Sequence, residues 1–237
     1  MRLAVVGASG RMGRAVVRLA HGQGVEIVCA VGSTDIGRDV GELAGVGAFG
    51  TCVVDGLAGI EHARADVVVD FSAPGATLAL APIAMAAGSA VVSGTTGLGD
   101  EAREALDRAA ARVPVLWEPN MSLGVHVLTE LVSRASSALA DWDAEIVETH
   151  HRAKKDAPSG TALRLAESMG RAQMGMHSLR GGDVVGDHAV HFLGGGERLE
   201  LVHRATNRDV FAHGALRAAR WIVGRPPGRY ALRDVLG

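Results

Sequence analysis

Glu148-Thr149-His150-His151-Arg152-Ala153-Lys154-Lys155-Asp156-Ala157-Pro158-Ser159-Gly160-Thr161 brings two imidazoles, an arginine and two lysines together just ahead of a helix-forming run. An unperturbed imidazole titrates at about 6.5, so His150 or His151 could give or take a proton near neutral pH. Lys154, four positions after His150, could add fixed positive charge and a second exchangeable proton. Pro158-Ser159-Gly160-Thr161 precedes Ala162-Leu163-Arg164-Leu165-Ala166-Glu167, which makes Ser159 or Thr161 a candidate N-cap. Backbone N–H groups at a helix N-terminus bind carboxylate or phosphate, and Gly160 would let such an anion come close. The chemistry these residues could do is to hold a small polyanion beside a proton donor. The bland alternative is a solvated basic loop that precedes a helix.

A second constellation lies near the N-terminus. Gly7-Ala8-Ser9-Gly10-Arg11-Met12-Gly13 follows an apolar strand-like run and opens a helix-like one. Glycines in that place allow a tight turn and a close approach to a pyrophosphate, with the helix N-terminus facing the phosphates. The spacing is Gly-x-x-Gly-x-x-Gly, and its position between strand and helix is what points to a dinucleotide rather than to a merely structural turn. An acidic residue at the end of the second strand would bind the ribose hydroxyls of NAD. That strand ends instead in Gly32-Ser33-Thr34-Asp35, so two readings stay open. Ser33, Thr34 and Arg38 could meet the 2′-phosphate of NADP, or Asp35 could bend back to serve NAD. Phe71-Ser72-Ala73-Pro74 and Gly94-Thr95-Thr96-Gly97 follow later strands, where ligands of such sheets bind.

The elements that must position these groups fall into two sets. Short apolar runs over residues 3–6, 26–31, 66–71, 90–93 and 115–117 alternate with helix-like segments over 12–21, 76–87 and 100–112. Asp100 is a natural cap for the third helix. Repeated strand–helix units predict an α/β fold with a doubly wound parallel (Rossmann) sheet. Beyond a helical stretch over 123–139, strands over 143–149, 188–192 and 198–203 and a helix over 161–174 predict a second, smaller α+β domain with a mixed or antiparallel sheet. Within 198–203, Leu199 and Leu201 alternate with Glu200 and Val202. An amphipathic segment over 211–223 could return to the first domain. The expected division is a dinucleotide-binding domain over 1–122 completed by 209–237, and a second domain over 123–208.

A formal net charge of -2 on 237 residues offers no electrostatic reason for nucleic acid or a membrane as partner. Cys29 and Cys52 alone argue against a disulfide framework and read as buried thiols in a reducing compartment. The most apolar region, 76–92, is broken by Pro82 and Gly88, and the N-terminal apolar run is too short for a secretory signal. The expectation is a soluble cytoplasmic protein. His150, His151, His188, His191, His203 and His213 could in principle converge on a metal, but their spacing is not that of a zinc site, and no metal is expected. Trp117, Trp142 and Trp221 read as core or interface anchors.

Taken in order, GASGRMG, FSAP, GTTG, EPNMSLG and ETHHRAKKDAPSGTA resemble the 4-hydroxy-tetrahydrodipicolinate reductase (dihydrodipicolinate reductase) family, as does the tail HRATNRDVFAHGALRAARW with LRDVLG. The resemblance implies reduction of 4-hydroxy-tetrahydrodipicolinate to tetrahydrodipicolinate by NADH or NADPH, a step of diaminopimelate and lysine biosynthesis. Carried over by residue, it makes His150 and Lys154 catalytic, and His151, Gly160 and Thr161 holders of the substrate carboxylates. Gly7, Ala8, Ser9, Gly10, Arg11, Met12, Gly13, Gly94, Thr95, Thr96, Glu118, Pro119, Asn120 and Met121 would line the cofactor. It also implies a homotetramer built through the sheets of the second domain, which is thus the substrate-binding and tetramerisation domain. This chain departs from the family at Gly32-Ser33, where many members carry an acidic and basic pair, and in a shorter stretch between Thr161 and Arg180. Two other readings compete: a semialdehyde or amino-acid dehydrogenase of the same layout, which would need a cysteine nucleophile or another acid–base set, and a non-catalytic nucleotide sensor.

Overall fold

The computed structural model describes residues 1–171 and 174–237, and they form two units, Met1–Met121 with Phe211–Gly237, and Ser122–Val210. In the first unit, β1 (Arg2–Val6), α1 (Arg11–Gly22), β2 (Glu26–Val31), α2 (Val40–Ala44), β3 (Val53–Val54), α3 (Gly59–Ala63) and β4 (Val67–Asp70) run in order. They are followed by α4 (Pro74–Ala87), β5 (Ala90–Ser93), α5 (Asp100–Ala110) and β6 (Pro114–Trp117). All strand pairs are parallel, in the order β6-β5-β4-β1-β2-β3. β4 and β5 are buried along their whole length, as expected of Val-rich strands covered on both faces. The chain winds outward one way from β1 and the other way from β4, so the loops after these two neighbours open at the switch point where such sheets bind ligands.

α4 begins on Pro74, whose fixed φ and missing N–H suit a first helical position, and ends at Gly88 in a left-handed conformation (φ 68°). Asp100 is not the cap of α5. Gly99 holds that position without any side-chain bond, and Asp100 with Glu101 fills the first turn, where their charge still complements the helix dipole. Cys29 is buried, but Cys52 is exposed, because it lies in the short connection before the two-residue strand β3 rather than in the core.

The second unit holds α6 (Leu123–Ala138), β7 (Asp143–His150), α7 (Gly160–Met169), β8 (Gly175–Arg180), β9 (Gly186–Leu193) and β10 (Arg198–Ala205). Its sheet has the order β10-β9-β7-β8, with β8 parallel to β7 and the other pairs antiparallel. The helix expected over 161–174 stops at Met169, where Gly170 turns left-handed (φ 61°); residues 172 and 173 of that expectation lie outside the described residues. β8 went unread in the sequence because Gly-Met-His-Ser-Leu-Arg contains no β-branched residue. The alternation expected at 198–203 does not sort into a clean inside and outside: Leu199 is 38% exposed and Val202 41%. Arg171 binds the Leu139 carbonyl at 2.5 Å, the Ser136 carbonyl at 3.1 Å and the Ser136 hydroxyl at 2.8 Å, satisfying the end of α6.

The final segment gives α8 (Asp209–Ile222), β11 (Gly228–Tyr230) and α9 (Leu232–Leu236). β11 adds to β6 in parallel and makes the first sheet seven-stranded. No helix among the described residues is long and apolar enough to cross a membrane.

Candidate active site

One face of the second unit's sheet changes character along its length. On β7, Ala144, Ile146, Glu148 and His150 alternate inward, and on β9 so do Gly186, His188, Val190 and Phe192. Ala144, Ile146, Val190 and Phe192 pack with Leu128, Val132 and Leu165 of the covering helices. Glu148, His150 and His188 continue the same buried face as polar residues, so each needs a partner.

Those partners come from α7 and β8. Ser159 caps α7 by accepting from the Ala162 amide at 3.2 Å, while its own amide donates to Glu148 Oε1 at 3.2 Å and its hydroxyl meets His188 Nε2 at 3.1 Å. Arg180 stands beside His150 in the β7–β8 register and grips both Glu148 oxygens, at 2.8 and 2.7 Å. His150 Nδ1 lies 2.5 Å from Glu148 Oε2, and the His188 ring meets the His150 ring edge-on at 5.2 Å. Burial alone would raise the Glu148 pKa, but bonds from Arg180, Ser178 and His150 outweigh it and bring it down to about 2. Burial pushes His150 below the usual imidazole value, with Glu148 opposing that and Lys154 and Arg180 adding to it. His188 falls to about 4, chiefly by burial, and its Nδ1 has no hydrogen-bond partner among the described residues.

Lys154 joins the same cluster through its own carboxylate. Its Nζ donates to Asp156 Oδ1 at 2.8 Å, and the Asp156 carbonyl accepts from Arg180 at 2.6 Å, so one guanidinium ties the imidazole's partner to the ammonium's partner. The Lys154 bond holds the Asp156 carboxyl below its usual range. His151 is half-buried, and the Ala157–Pro158 peptide is cis. Gly160 is exposed at the first position of α7, with open space where a Cβ would stand. Its amide has no intrahelical acceptor, which suits a carboxylate.

In the first unit the expected cofactor residues follow the ends of β1, β5 and β6. Gly7 takes a φ of +81°, and a Cβ there would lie 2.3 Å from the Phe71 carbonyl oxygen; a Cβ on Gly13 would lie 2.2 Å from the Gly7 oxygen. A Cβ on Gly94 would enter the Phe71 ring. Gly10 caps α1 with no side-chain bond, and the amides of Arg11, Met12 and Gly13 fall in the turn that lacks intrahelical acceptors. A backbone cradle of this kind fits the pyrophosphate of a dinucleotide. Ala8 and Met121 are buried, and Met121's carbonyl is so close to α8 that only glycine fits at 214. Ser9 and Asn120 are half-buried, Thr95 and Glu118 buried, and Arg11, Thr96 and Pro119 exposed.

Asp70 binds these loops together. Fully buried at the end of β4, it accepts from the hydroxyls of Ser72 (2.5 Å), Thr77 (2.6 Å), Ser93 (2.8 Å) and Thr95 (3.0 Å). The Ser72 amide reaches Thr95 Oγ1 at 3.1 Å, and Trp117 Nε1 donates to the Thr95 carbonyl at 2.9 Å, so the anchor role expected of Trp117 includes holding this loop. At the end of β2, Asp35 accepts from Arg14 (2.8 Å) and Arg38 (3.2 Å), while Ser33 and Thr34 are exposed. Gly32 lets β2 approach the glycine loop, since a Cβ there would stand 2.6 Å from Ser9 Oγ.

Glu148, Arg180, His188 and Asp70 had no assigned role in the sequence reading. Glu148 was detectable, because in a strand it shares a face with His150; Arg180 was not, because its strand was unread. Of the six histidines weighed for a metal, His150 and His188 meet, and His203 stands opposite His188, whereas His191 pairs with Glu200. Among the described residues no group of three or more His, Cys, Asp or Glu could hold a metal ion.

Comparison with known proteins places both units. The family model "Dihydrodipicolinate reductase, N-terminus" matches residues 1–121, and "Dihydrodipicolinate reductase, C-terminus" matches 124–236. The 4-hydroxy-tetrahydrodipicolinate reductase of Stenotrophomonas maltophilia (strain R551-3) is 50% identical over 240 residues, covering 100% of this chain and 98% of the relative. That of Archaeoglobus fulgidus is 45% identical over 259 residues, with both chains covered completely. Among solved structures, dipicolinate-bound dihydrodipicolinate reductase from Paenisporosarcina sp. TG-14 shares the fold, with a TM-score of 0.79 at 23% identity over 98% of this chain and 97% of the other.

Proposed function

This chain belongs to the dihydrodipicolinate reductase family, and from that premise we propose how its own residues carry out the reaction. The reaction is the NADH- or NADPH-dependent reduction of 4-hydroxy-tetrahydrodipicolinate in diaminopimelate and lysine biosynthesis. The bound cofactor supplies hydride. Loss of the 4-hydroxyl as water leaves a conjugated ring; as that ring is reduced electron density builds on it, and a positioned general acid lowers the barrier by delivering a proton.

His150 is that acid, acting from Nε2. Lys154 stands as the second cation and proton donor, and the two substrate carboxylates are held by His151, Gly160 and Thr161, with the α7 N-terminus contributing its dipole. Phosphates of the cofactor lie on Gly7 to Gly13, and Gly94, Thr95, Thr96 and Glu118 to Met121 line the rest of its site. The observation that carries this reading is the buried Glu148–His150 pair directly beside the capped start of α7. A nucleotide sensor would have no use for a desolvated imidazole of this kind, and the cysteine chemistry of a semialdehyde dehydrogenase has no nucleophile here, since Cys29 is buried inside the parallel sheet and the exposed Cys52 sits where the chain enters β3, away from the carboxyl ends of the strands.

The reading of quaternary structure rests on the second sheet's other face. Val147, Ala189 and Val202 line up across β7, β9 and β10 on the side away from α6 and α7, with Leu179 (54% exposed) and Leu193 (37%) nearby. A face of this composition supports assembly of a homotetramer through these sheets.

The test is a set of steady-state rates with NADH and with NADPH on enzymatically generated substrate, for the parent and for His150→Gln. The parent turns over with at least one cofactor. The variant loses kcat by about 10²- to 10⁴-fold, the usual contribution of a general acid, while still binding NADPH. Full activity of His150→Gln would refute the assignment.

A further inference from the structure

The reaction needs the His150 ring presented with one particular nitrogen outward, and that presentation requires a group that fixes the tautomer. Glu148 is an ionised acceptor: Arg180 holds both of its oxygens, and the Ser159 amide donates to one of them. An ionised carboxylate has no proton to give, so the 2.5 Å contact with His150 Nδ1 requires the proton to sit on Nδ1. Nε2 is then the nitrogen that exchanges. It faces Gly186, where even a methyl group would stand 2.9 Å from it.

We propose that Glu148, locked by Arg180 and the Ser159 amide, is a positioning residue that holds His150 as the Nδ1–H tautomer and so assigns proton delivery to Nε2. The proposal rests on His150 being the proton donor. Arg180 extends the device to the second cation, since it also binds the Asp156 carbonyl while the Asp156 carboxylate holds Lys154. The groups facing the imidazole are Glu148 on its own strand, Arg180 on β8, His188 on β9 and Lys154 in the loop; among these only Glu148 is negative. Its removal therefore disfavours the imidazolium.

Two measurements test this. In the unmodified protein, long-range nitrogen–proton NMR of ¹⁵N-histidine, with the signal assigned by its loss in His150→Gln, should show neutral His150 as the Nδ1–H tautomer. The Nε2–H tautomer would overturn the proposal, and this readout needs no Glu148 variant to fold. In Glu148→Gln, the alkaline limb of kcat/KM should move down by about one pH unit, as expected when an adjacent opposite charge is lost. Glu148→Asp, which keeps the charge, should retain much of the parent profile, and NADPH affinity should stay within about twofold in both, a change under about 0.4 kcal/mol. An unmoved limb overturns the proposal, whether the rate is unchanged or lowered equally at every pH. If His150→Gln proves active, the donor assignment fails instead, and the tautomer still decides the role of Glu148.

Discussion

His188 shows how a single buried ring can set the acid stability of the second unit. It is 3% exposed, and burial with the neighbouring His150 holds its pKa at about 4, against 6.5 in the unfolded chain. The unfolded state therefore binds more protons between these values, so the stability this ring contributes is complete above pH 6.5 and is lost as pH falls towards 4. A gap of that size corresponds to about 3 kcal/mol across the window. Glu148, His150, Lys154 and His203 are the charged or titratable groups acting on it. His188→Gln removes the titration while keeping a polar group beside Ser159. Its urea midpoint should lie below the parent's at pH 7.5 and draw level with it as pH is lowered to 4.5; two midpoints falling in parallel would count against the account. The sequence drew attention to His150 and His151 because HHxxK stands out in the chain, but His188 sits 38 residues after His150 and becomes its neighbour only through strand pairing.

At the scale of elements, the glycine loop after β1 works because three segments approach more closely than side chains permit. Gly7 combines a left-handed φ with a 2.3 Å limit against Phe71, so Gly7→Ala must displace either the α1 start or the turn after β4. Asp70 ties that second turn to the Gly94–Thr95 turn, and the displacement should therefore spread to the whole nucleotide side. The expected result is an NADPH dissociation constant raised at least about tenfold, or 1.4 kcal/mol, read by quenching of protein fluorescence. The parallel strands were legible because Leu3 to Val6 and Val67 to Val69 are continuous apolar runs, which only strands buried on both faces tolerate. β8 and β11 were not, since each takes its strand form from the edge it pairs with rather than from its own residues.

For the whole molecule, the exposed outer row of the second sheet carries the prediction. Val202→Asp places a charge at the β10 end of the row formed with Ala189 and Val147, and burying an unpaired charge in a subunit contact costs several kcal/mol. Light scattering should report a tetramer for the parent and a smaller species for the variant; an unchanged mass would remove this face from the assembly. The sequence by itself determined the Rossmann unit, the order of the glycine, FSAP and GTTG loops, and the segment that carries the paired imidazoles, because these are written in contiguous residues whose local conformation follows from periodicity, glycine and capping. Tertiary structure alone decided that Glu148 and Arg180 lock that imidazole, that Asp70 gathers four hydroxyls, and that Asp35 is occupied by Arg14 and Arg38. Some of these contacts are local, but the partners that complete them, Arg180 for Glu148, Ser93 and Thr95 for Asp70 and Arg14 for Asp35, lie far away in the chain. Their partners are selected by the need to satisfy buried charge once the sheets have formed, a requirement no local stretch of sequence encodes.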